Sequence, residues 1–177
     1  MNSGWGRHDS LVGEKGNTWI MIVEYVLHSR LRAATLDCSR SAMDANQTIR
    51  RLSDIASVCG WYEIEASRMF IIHKSPQSSV VQNHLSHAVG IFVGLHTVLP
   101  MDVGEFVLEA HLSASTQYQG RLADLPSAWI TFDKIVKADG YRPLQAPFIE
   151  LHQGIIETKR ADDTIDVSLW LQVERKV

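Results

Sequence analysis

Regular alternation of apolar residues is the feature that most constrains this fold. Between residues 18 and 28, large apolar or aromatic side chains occupy every second position from Trp19 to Leu27, and the intervening positions are largely apolar too. A period of two places successive side chains on opposite faces of a strand. This segment therefore predicts a strand that is buried on most of both faces.

The C-terminal segment alternates in the same way. Ile165, Val167, Leu169 and Leu171 are separated by polar residues, and the acidic turn 160–163 precedes them. Such a short connection predicts an antiparallel hairpin between residues 148–159 and 164–173.

Two segments change to helical spacing. Residues 41–58 have an apolar stripe that includes Ile49 and Leu52, with Ser41 or Asp44 as the N-cap and Gly60 after the end. Residues 126–138 begin with Pro126, and Gly140 suits their C-terminal cap. Both segments predict amphipathic helices.

The remaining apolar segments predict further strands. We expect one or two short strands within residues 61–73, a glycine-interrupted strand over 85–99 and another strand over 104–113. Neighbouring strands joined by short turns, with two separated helices, predict an α+β fold. Its mainly antiparallel twisted sheet packs against two principal helices.

Chain length and composition favour one domain. The 177 residues are 45% hydrophobic, which is enough for a single core. Residues 1–16, rich in glycine and polar residues, are expected to form a flexible N-terminal arm. Residues 17–177 are expected to form a single globular α+β domain.

Charge and cysteine content exclude several classes of protein. A net charge of −3 with 21% charged residues is typical neither of disorder nor of a strongly basic nucleic-acid-binding protein. Cys38 and Cys59 form no metal-like pair and favour a reducing compartment, so both are expected to be free thiols. Cys59 is expected to be a small core residue at the end of a helix.

The histidines are the best lead to an enzyme. His84 and His87 lie three residues apart, and His96 and His111 could approach them across neighbouring strands. On a strand, however, this spacing puts His84 and His87 on opposite faces, and no cysteine or carboxylate completes a metal signature. Surface or packed histidines are therefore favoured over a ligand cluster.

Other catalytic patterns are equally weak. Cys59 and His73 could form a thiol dyad, but a buried structural thiol is commoner. Glu63 and Glu65 could act as acid and base, but such pairs more often mark the solvated side of an edge strand. We predict no catalytic residue, no metal and no cofactor, and thus a protein that is not an enzyme.

Arginines are concentrated in one segment. Five of them stand against the two acids Asp37 and Asp44, whereas residues 102–109 are acidic. The guanidinium fork suits phosphate and carboxylate, so this segment is a candidate contact for an anionic membrane or a nucleocapsid. A solvated face with local ion pairs is nearly as plausible. The five residues are Arg30, Arg32, Arg40, Arg50 and Arg51.

Apolar residues in the arm suggest self-association. Trp5, Leu11 and Val12 could dock on a neighbouring copy or fold back on their own domain. Trp170, on the otherwise polar face of the last strand, could pack under a helix or contribute to an interface.

The order of elements resembles that of rhabdovirus matrix proteins, in particular the short ones of plant cytorhabdoviruses. The likeness runs from about Trp19 to the C-terminus. Its strongest features are a strand opened by a glycine, then a proline-tryptophan helix, then a glycine-aliphatic strand. The residues that carry it are Gly104, Phe106, Leu108, Pro126, Trp129, Phe132, Gly154, Ile155, Ile156 and Lys159.

This resemblance implies a matrix-like fold and a structural role in the virion. Such a protein would self-associate through its N-terminal segment, condense the viral nucleocapsid and link it to the membrane, with the viral glycoprotein as a further partner. The implied location is the virion, the host cytoplasm and the cytoplasmic face of the membrane. The chain departs from the animal-virus pattern because its N-terminus is not lysine-rich and no proline-tyrosine motif is present.

Two other functions stay open. One is a small-molecule-binding or metal-dependent hydrolytic α+β domain, and the other is an intracellular protein-protein adaptor. Bound metal or a deep pocket would favour the first, and a monomer with one tight partner would favour the second.

Overall fold

A computed structural model describes residues 7–14, 17–38, 45–63, 69–73, 87–145, 147–152 and 164–176. Ten strands and two helices lie in these ranges. They are β1 (Arg7–Glu14), β2 (Asn17–His28), β3 (Leu31–Asp37), α1 (Ala45–Val58), β4 (Met69–His73), β5 (His87–Val93), β6 (Gly104–Leu108), β7 (His111–Arg121), α2 (Leu125–Ala138), β8 (Tyr141–Pro143), β9 (Phe148–His152) and β10 (Thr164–Arg175).

All described strand pairs are antiparallel and belong to one sheet. Its order is β1-β2-β7-β10-β9-β4-β5-β3-β6, with β8 pairing separately with β10. The predicted α+β class, with a mainly antiparallel sheet and two principal helices, is confirmed. The matrix-like label stays a prediction, because an antiparallel sheet with two helices is not specific to that family.

Both helices form because apolar residues recur every three or four positions, and both end at a glycine. In α1 the buried residues Ile49, Leu52 and Ala56 form one stripe. Gly60 and Gly140 follow the two helices with φ values of 69° and 85°, a conformation that costs glycine little. The helix ends expected from sequence are thus confirmed, whereas Ser41 and Asp44 lie outside the described residues.

The helices cover two halves of one sheet face. Helix α2 packs its Trp129 and Phe132 against the half that contains β2, β7 and β10. Helix α1 packs against β3 and β5. Strands β9 and β4 lie between these halves in the sheet order. Side chains of β9 and β4 that face the helices therefore lie at the boundary between two apolar clusters.

The opposite sheet face curls around its own apolar cluster. Phe92 on β5 and Trp170 on β10 have ring centroids 6.3 Å apart, whereas three strand spacings in a flat sheet would span roughly 14 Å. Phe70, Ile72 and Ile149 are buried between them. Trp170 thus packs against its own sheet, stacked on His28 and near Phe92, and not under a helix.

Some predicted elements differ from the structure. Of the one or two short strands expected within residues 61–73, the structure has β4, whereas Trp61–Glu63 forms a 3-10 turn. The single strand predicted over 104–113 is wrong, because β6 pairs with β3 while β7 starts at His111 and pairs with β2 and β10. Strand β3 was not anticipated, since its residues were interpreted only as part of the arginine segment.

The described part of the N-terminal segment forms a strand. Arg7–Glu14 pairs with β2 as an edge strand, so this part of the expected arm is ordered. Cys59 is exposed, which corrects the prediction of a core residue, and no disulfide joins Cys38 to Cys59. Among the described residues, no helix has the length and apolarity to cross a bilayer.

Close packing across β4 and β5 gives a test of this fold. A Cβ added to Gly90 would lie 2.5 Å from Cζ of Phe70, which is fully buried and has little room to move. We expect Gly90→Ala to lower the free energy of unfolding by about 1–3 kcal/mol. Gly94→Ala, at an exposed turn, is the matched control and should change it by less than ~0.5 kcal/mol. Urea denaturation measures both, and equal stabilities would contradict the packing described.

Candidate functional site

A buried carboxylate lies at the boundary between the two helix-covered halves. Glu150, in the middle of β9, is 5% exposed and pairs in register with Ile71 of β4 and Leu169 of β10. The rest of its strand is apolar except for His152. Acidic residues are almost never fully buried unless they are paired, so the surroundings of Glu150 must compensate its charge.

Three side chains from different elements surround the carboxylate. Trp129 of α2 donates its Nε1–H to Oε1 at 2.8 Å. His73, the last residue of β4, places Nε2 3.0 Å from the same oxygen. His152 places Nε2 3.8 Å from Oε2. We call these four side chains the Glu150 cluster.

The two histidines are less firmly held than the tryptophan. Within the described part of the chain, both ring nitrogens of His73 and Nε2 of His152 are buried without a well-directed hydrogen bond. The short His73 contact is therefore electrostatic rather than a straight hydrogen bond. Of the three neighbours, only Trp129 holds Glu150 by good geometry.

Aromatic rings complete the site. Phe148 stacks on the His73 ring at 5.2 Å with the planes 17° apart. It also meets Trp129 at 5.1 Å in a tilted arrangement. The carboxylate thus lies beside aromatic rings, with the N–H edge of Trp129 directed at it.

Burial and neighbouring groups act on the carboxyl in opposite directions. Burial on its own raises the pKa of Glu150, but His152 and His73, together with the Trp129 N–H, outweigh burial and hold the pKa well below its usual range. Glu150 is consequently an ionised group inside the protein. It can attract a cation or accept hydrogen bonds from a ligand.

The predicted histidine group does not form this site. His111 stacks on His28 with ring centroids 5.4 Å apart, and His96 is exposed in a turn. His87 is the register partner of His73, and His84 lies outside the described residues. Among the residues that the structure describes, no group of three histidine, cysteine or acidic side chains is arranged to hold a metal ion.

Most of the predicted anion-binding arginines contact acids of the same chain. Arg30 lies 3.4 Å from Glu109, Arg32 lies 2.5 Å from Glu105, and Arg51 lies 2.6 Å from Asp102. Arg50 is exposed on α1, and Arg40 falls outside the described residues. The local ion pairs that the sequence left as an alternative are thus present.

Other predicted site residues are only partly placed. Leu11 and Val12 pair with Ile20 and Trp19 in the β1–β2 hairpin, and Trp5 is outside the described residues. Glu63 ends the 3-10 turn, while Glu65 is not among the described residues. The self-association surface therefore stays a prediction, and the acid–base interpretation of Glu63 and Glu65, which the sequence does not favour, is not tested.

Sequence reasoning missed the whole Glu150 cluster. Trp129 was interpreted as part of a core stripe and His73 only as the partner of a thiol. One signal was present, since Glu150 is the single charged residue within the strand sequence FIELH. A lone carboxylate in a short apolar strand indicates a compensated buried charge.

Comparison with known proteins gives the fold but no family. No family model matches the chain, and no curated protein matches it. A hydrolase of Listeria innocua is similar with a TM-score of 0.64 and 8% identity, over 86% of this chain and 91% of that one. The C-terminal domain of EcmrR is similar with a TM-score of 0.54 and 13% identity, over 88% and 98%.

A longer form of the same neighbour is also similar. EcmrR in its DNA complex has a TM-score of 0.60 and 13% identity, and the match covers 89% of this chain and 58% of that one. At these identities the similarity shows a shared fold alone. The rhabdovirus resemblance is not tested by these neighbours and stays a prediction.

The lowered pKa of Glu150 predicts a component of acid unfolding. Because its folded-state pKa lies below the unfolded value, usually near ~4.3, Glu150 stabilises the fold above that pH. The contribution is lost as the pH falls from there toward the folded-state pKa. The free energy of unfolding of the wild type should fall as the pH is lowered from roughly 4.5 to 3. We expect Glu150→Gln to reduce the slope of that fall by up to about 1.4 kcal/mol per pH unit. Urea denaturation at several pH values measures this slope. Glu109→Gln, which changes an exposed carboxylate, is the control.

The arginine contacts predict unequal effects within one segment. Arg32 is 15% exposed and also donates to the Thr97 carbonyl at 2.5 Å, so it fixes the turn after β5. Arg32→Gln should destabilise the fold by about 1–3 kcal/mol. Arg50→Gln on the exposed side of α1 should change stability by less than ~0.5 kcal/mol. Thermal denaturation of both variants measures these changes in stability, and similar losses of stability in the two variants would argue against the structural role of Arg32.

Proposed function

We propose that this chain is a small-molecule-binding domain whose ligand is an aromatic organic cation held against Glu150. The observation that carries the proposal is an ionised carboxylate, 5% exposed, placed between two helix-covered halves of a sheet and surrounded by aromatic rings. Perturbed acids in such surroundings are more frequent at functional sites than in ordinary cores.

Charge complementarity selects the class of ligand. An anion in an apolar interior attracts positive charge far more strongly than an exposed one does. The face of Phe148, on which the His73 ring is stacked, adds cation–π attraction for a ligand cation that takes the place of that ring. A flat or multi-ring cation can thus replace the imidazoles next to Glu150 and bury apolar surface at the same time.

The neighbours in fold do not specify a role for this chain. A domain of this shape forms the C-terminal part of EcmrR, which has been seen bound to DNA, and it also occurs as a hydrolase. One fold thus serves more than one role, and the role here is argued from the site. DNA binding is not proposed, because the match spans 58% of the DNA-bound protein.

The viral matrix function remains a separate prediction. Self-association, nucleocapsid condensation and membrane attachment rest on the order of sequence elements and on the arginine segment. The paired arginines leave Arg50 as the described member of that segment that has no ion pair with the acids at 102–109. The adaptor hypothesis likewise stays open.

A matched pair of ligands tests the proposed function. Tetraphenylphosphonium and tetraphenylborate have the same shape and opposite charge, so the difference between them isolates the role of charge. We expect tetraphenylphosphonium to bind the wild-type chain and to bind Glu150→Gln about thirtyfold or more weakly, a loss of ~2 kcal/mol. Titration calorimetry at pH 7.5 measures the affinities.

Glu109→Gln is the control because Glu109 is an exposed carboxylate remote in sequence from β9. Its affinity for the cation should equal that of the wild type. Equal affinities of the wild type for the two ligands would contradict the proposed function. Equal affinities of the wild type and Glu150→Gln for the cation would contradict it as well.

A further inference from the structure

Two imidazoles occupy the place that a ligand cation would take. His73 and His152 come from the ends of neighbouring elements, and their Nε2 atoms lie 3.0 and 3.8 Å from the two oxygens of Glu150. Their side chains are 11% and 15% exposed, and that of Glu150 is 6% exposed. One carboxylate therefore faces two side chains that can each carry a positive charge.

The other elements packed around the cluster supply few competing charges. On β10, the positions that face α2 are apolar from Ile165 to Val173. On α2, Asp133 lies one turn beyond Trp129 and pairs with Lys137 at 2.6 Å. On β5, His87 is the register partner of His73. His73 and His152 are thus the ionisable side chains in direct contact with Glu150 among the described residues.

The imidazole contacts are suited to exchange. Trp129 donates a well-aligned hydrogen bond that fixes one oxygen of Glu150, whereas both ring nitrogens of His73 and Nε2 of His152 lack well-directed partners in the described structure. A ligand that removes an imidazole from Glu150 therefore breaks an electrostatic contact but no good hydrogen bond. The tryptophan can hold the carboxylate in place throughout.

We propose that His73 and His152 are built-in counterions of Glu150, that an aromatic cation displaces their positive charge, and that binding therefore releases protons and tightens as the pH rises. This inference rests on the proposed function and adds to it a regulation of the same site. The histidines thus determine specificity through charge, by competing with the ligand for one carboxylate.

The direction of the pH effect follows from linkage. In the free protein, an imidazolium next to Glu150 is stabilised by the carboxylate, and in the complex the same imidazolium is repelled by the ligand cation. Binding consequently favours the neutral ring and releases a proton. Affinity then rises by up to tenfold per pH unit for each proton released, within the interval from pH 5 to 8 where imidazoles titrate.

Tetraphenylphosphonium is a suitable probe because its charge does not change with pH. Titration calorimetry with the full chain between pH 5.5 and 8 should show at least about a tenfold rise in wild-type affinity. Repeating the titration at pH 6 in two buffers with different ionisation enthalpies counts the released protons directly. We expect a number above zero and no greater than two.

Variants assign the effect to residues. The double variant His73→Gln/His152→Gln should release fewer protons on binding at pH 6 than the wild type, because it lacks both imidazoles. His73→Gln alone should remove more of the slope than His152→Gln, because His73 lies closer to the carboxylate. His96→Gln, at an exposed turn, is the matched control and should keep the wild-type slope.

The outcomes separate this inference from the proposed function. Binding that depends on Glu150 but releases no proton and does not change with pH would overturn the counterion role while leaving the ligand site intact. Absence of cation binding in the wild type at every pH would overturn both. If the double variant does not fold, the proton count of the wild type still decides.

Discussion

The compensation of one buried negative charge connects the main parts of this structure. Glu150 lies where the sheet passes from one helix-covered half to the other. Trp129 joins helix α2 to this carboxylate, and His73 joins strand β4 to it. An unpaired carboxylate would be costly here. The contacts that compensate Glu150 therefore also link α2, β4 and β9.

The same contacts give the site its chemical character. A carboxylate neutralised only by apolar packing would be protonated and would not select a cation. A carboxylate locked by well-directed donors on both oxygens would resist exchange. Glu150 lies between these extremes, because Trp129 holds it by a well-directed hydrogen bond and the two imidazoles contact it without one. The contacts that compensate Glu150 in the fold are thus the ones that we propose a ligand cation exchanges.

Long-range pairing also changes the meaning of the arginine segment. In sequence, residues 30–51 are basic and residues 102–109 are acidic, which suits attraction between separate molecules. The antiparallel pairing of β3 with β6 brings the two segments together within one chain. Arg32 and Glu105 are 73 residues apart in sequence but form a contact of 2.5 Å. Charge patterns along a chain predict partners only when it is known which segments the fold has already paired.

Local patterns in the sequence determined the kinds of elements and most of their ends. Alternation gave β2 and β10, three-to-four spacing gave α1 and α2, and Gly60 and Gly140 marked the helix ends, because each of these signals depends on residues close in the chain. Tertiary structure alone decided that residues 104–113 belong to two strands, that Cys59 is exposed and that Glu150 meets Trp129, His73 and His152. Those facts depend on strand order and on the curvature of the sheet, which bring distant residues together, and no local period records them.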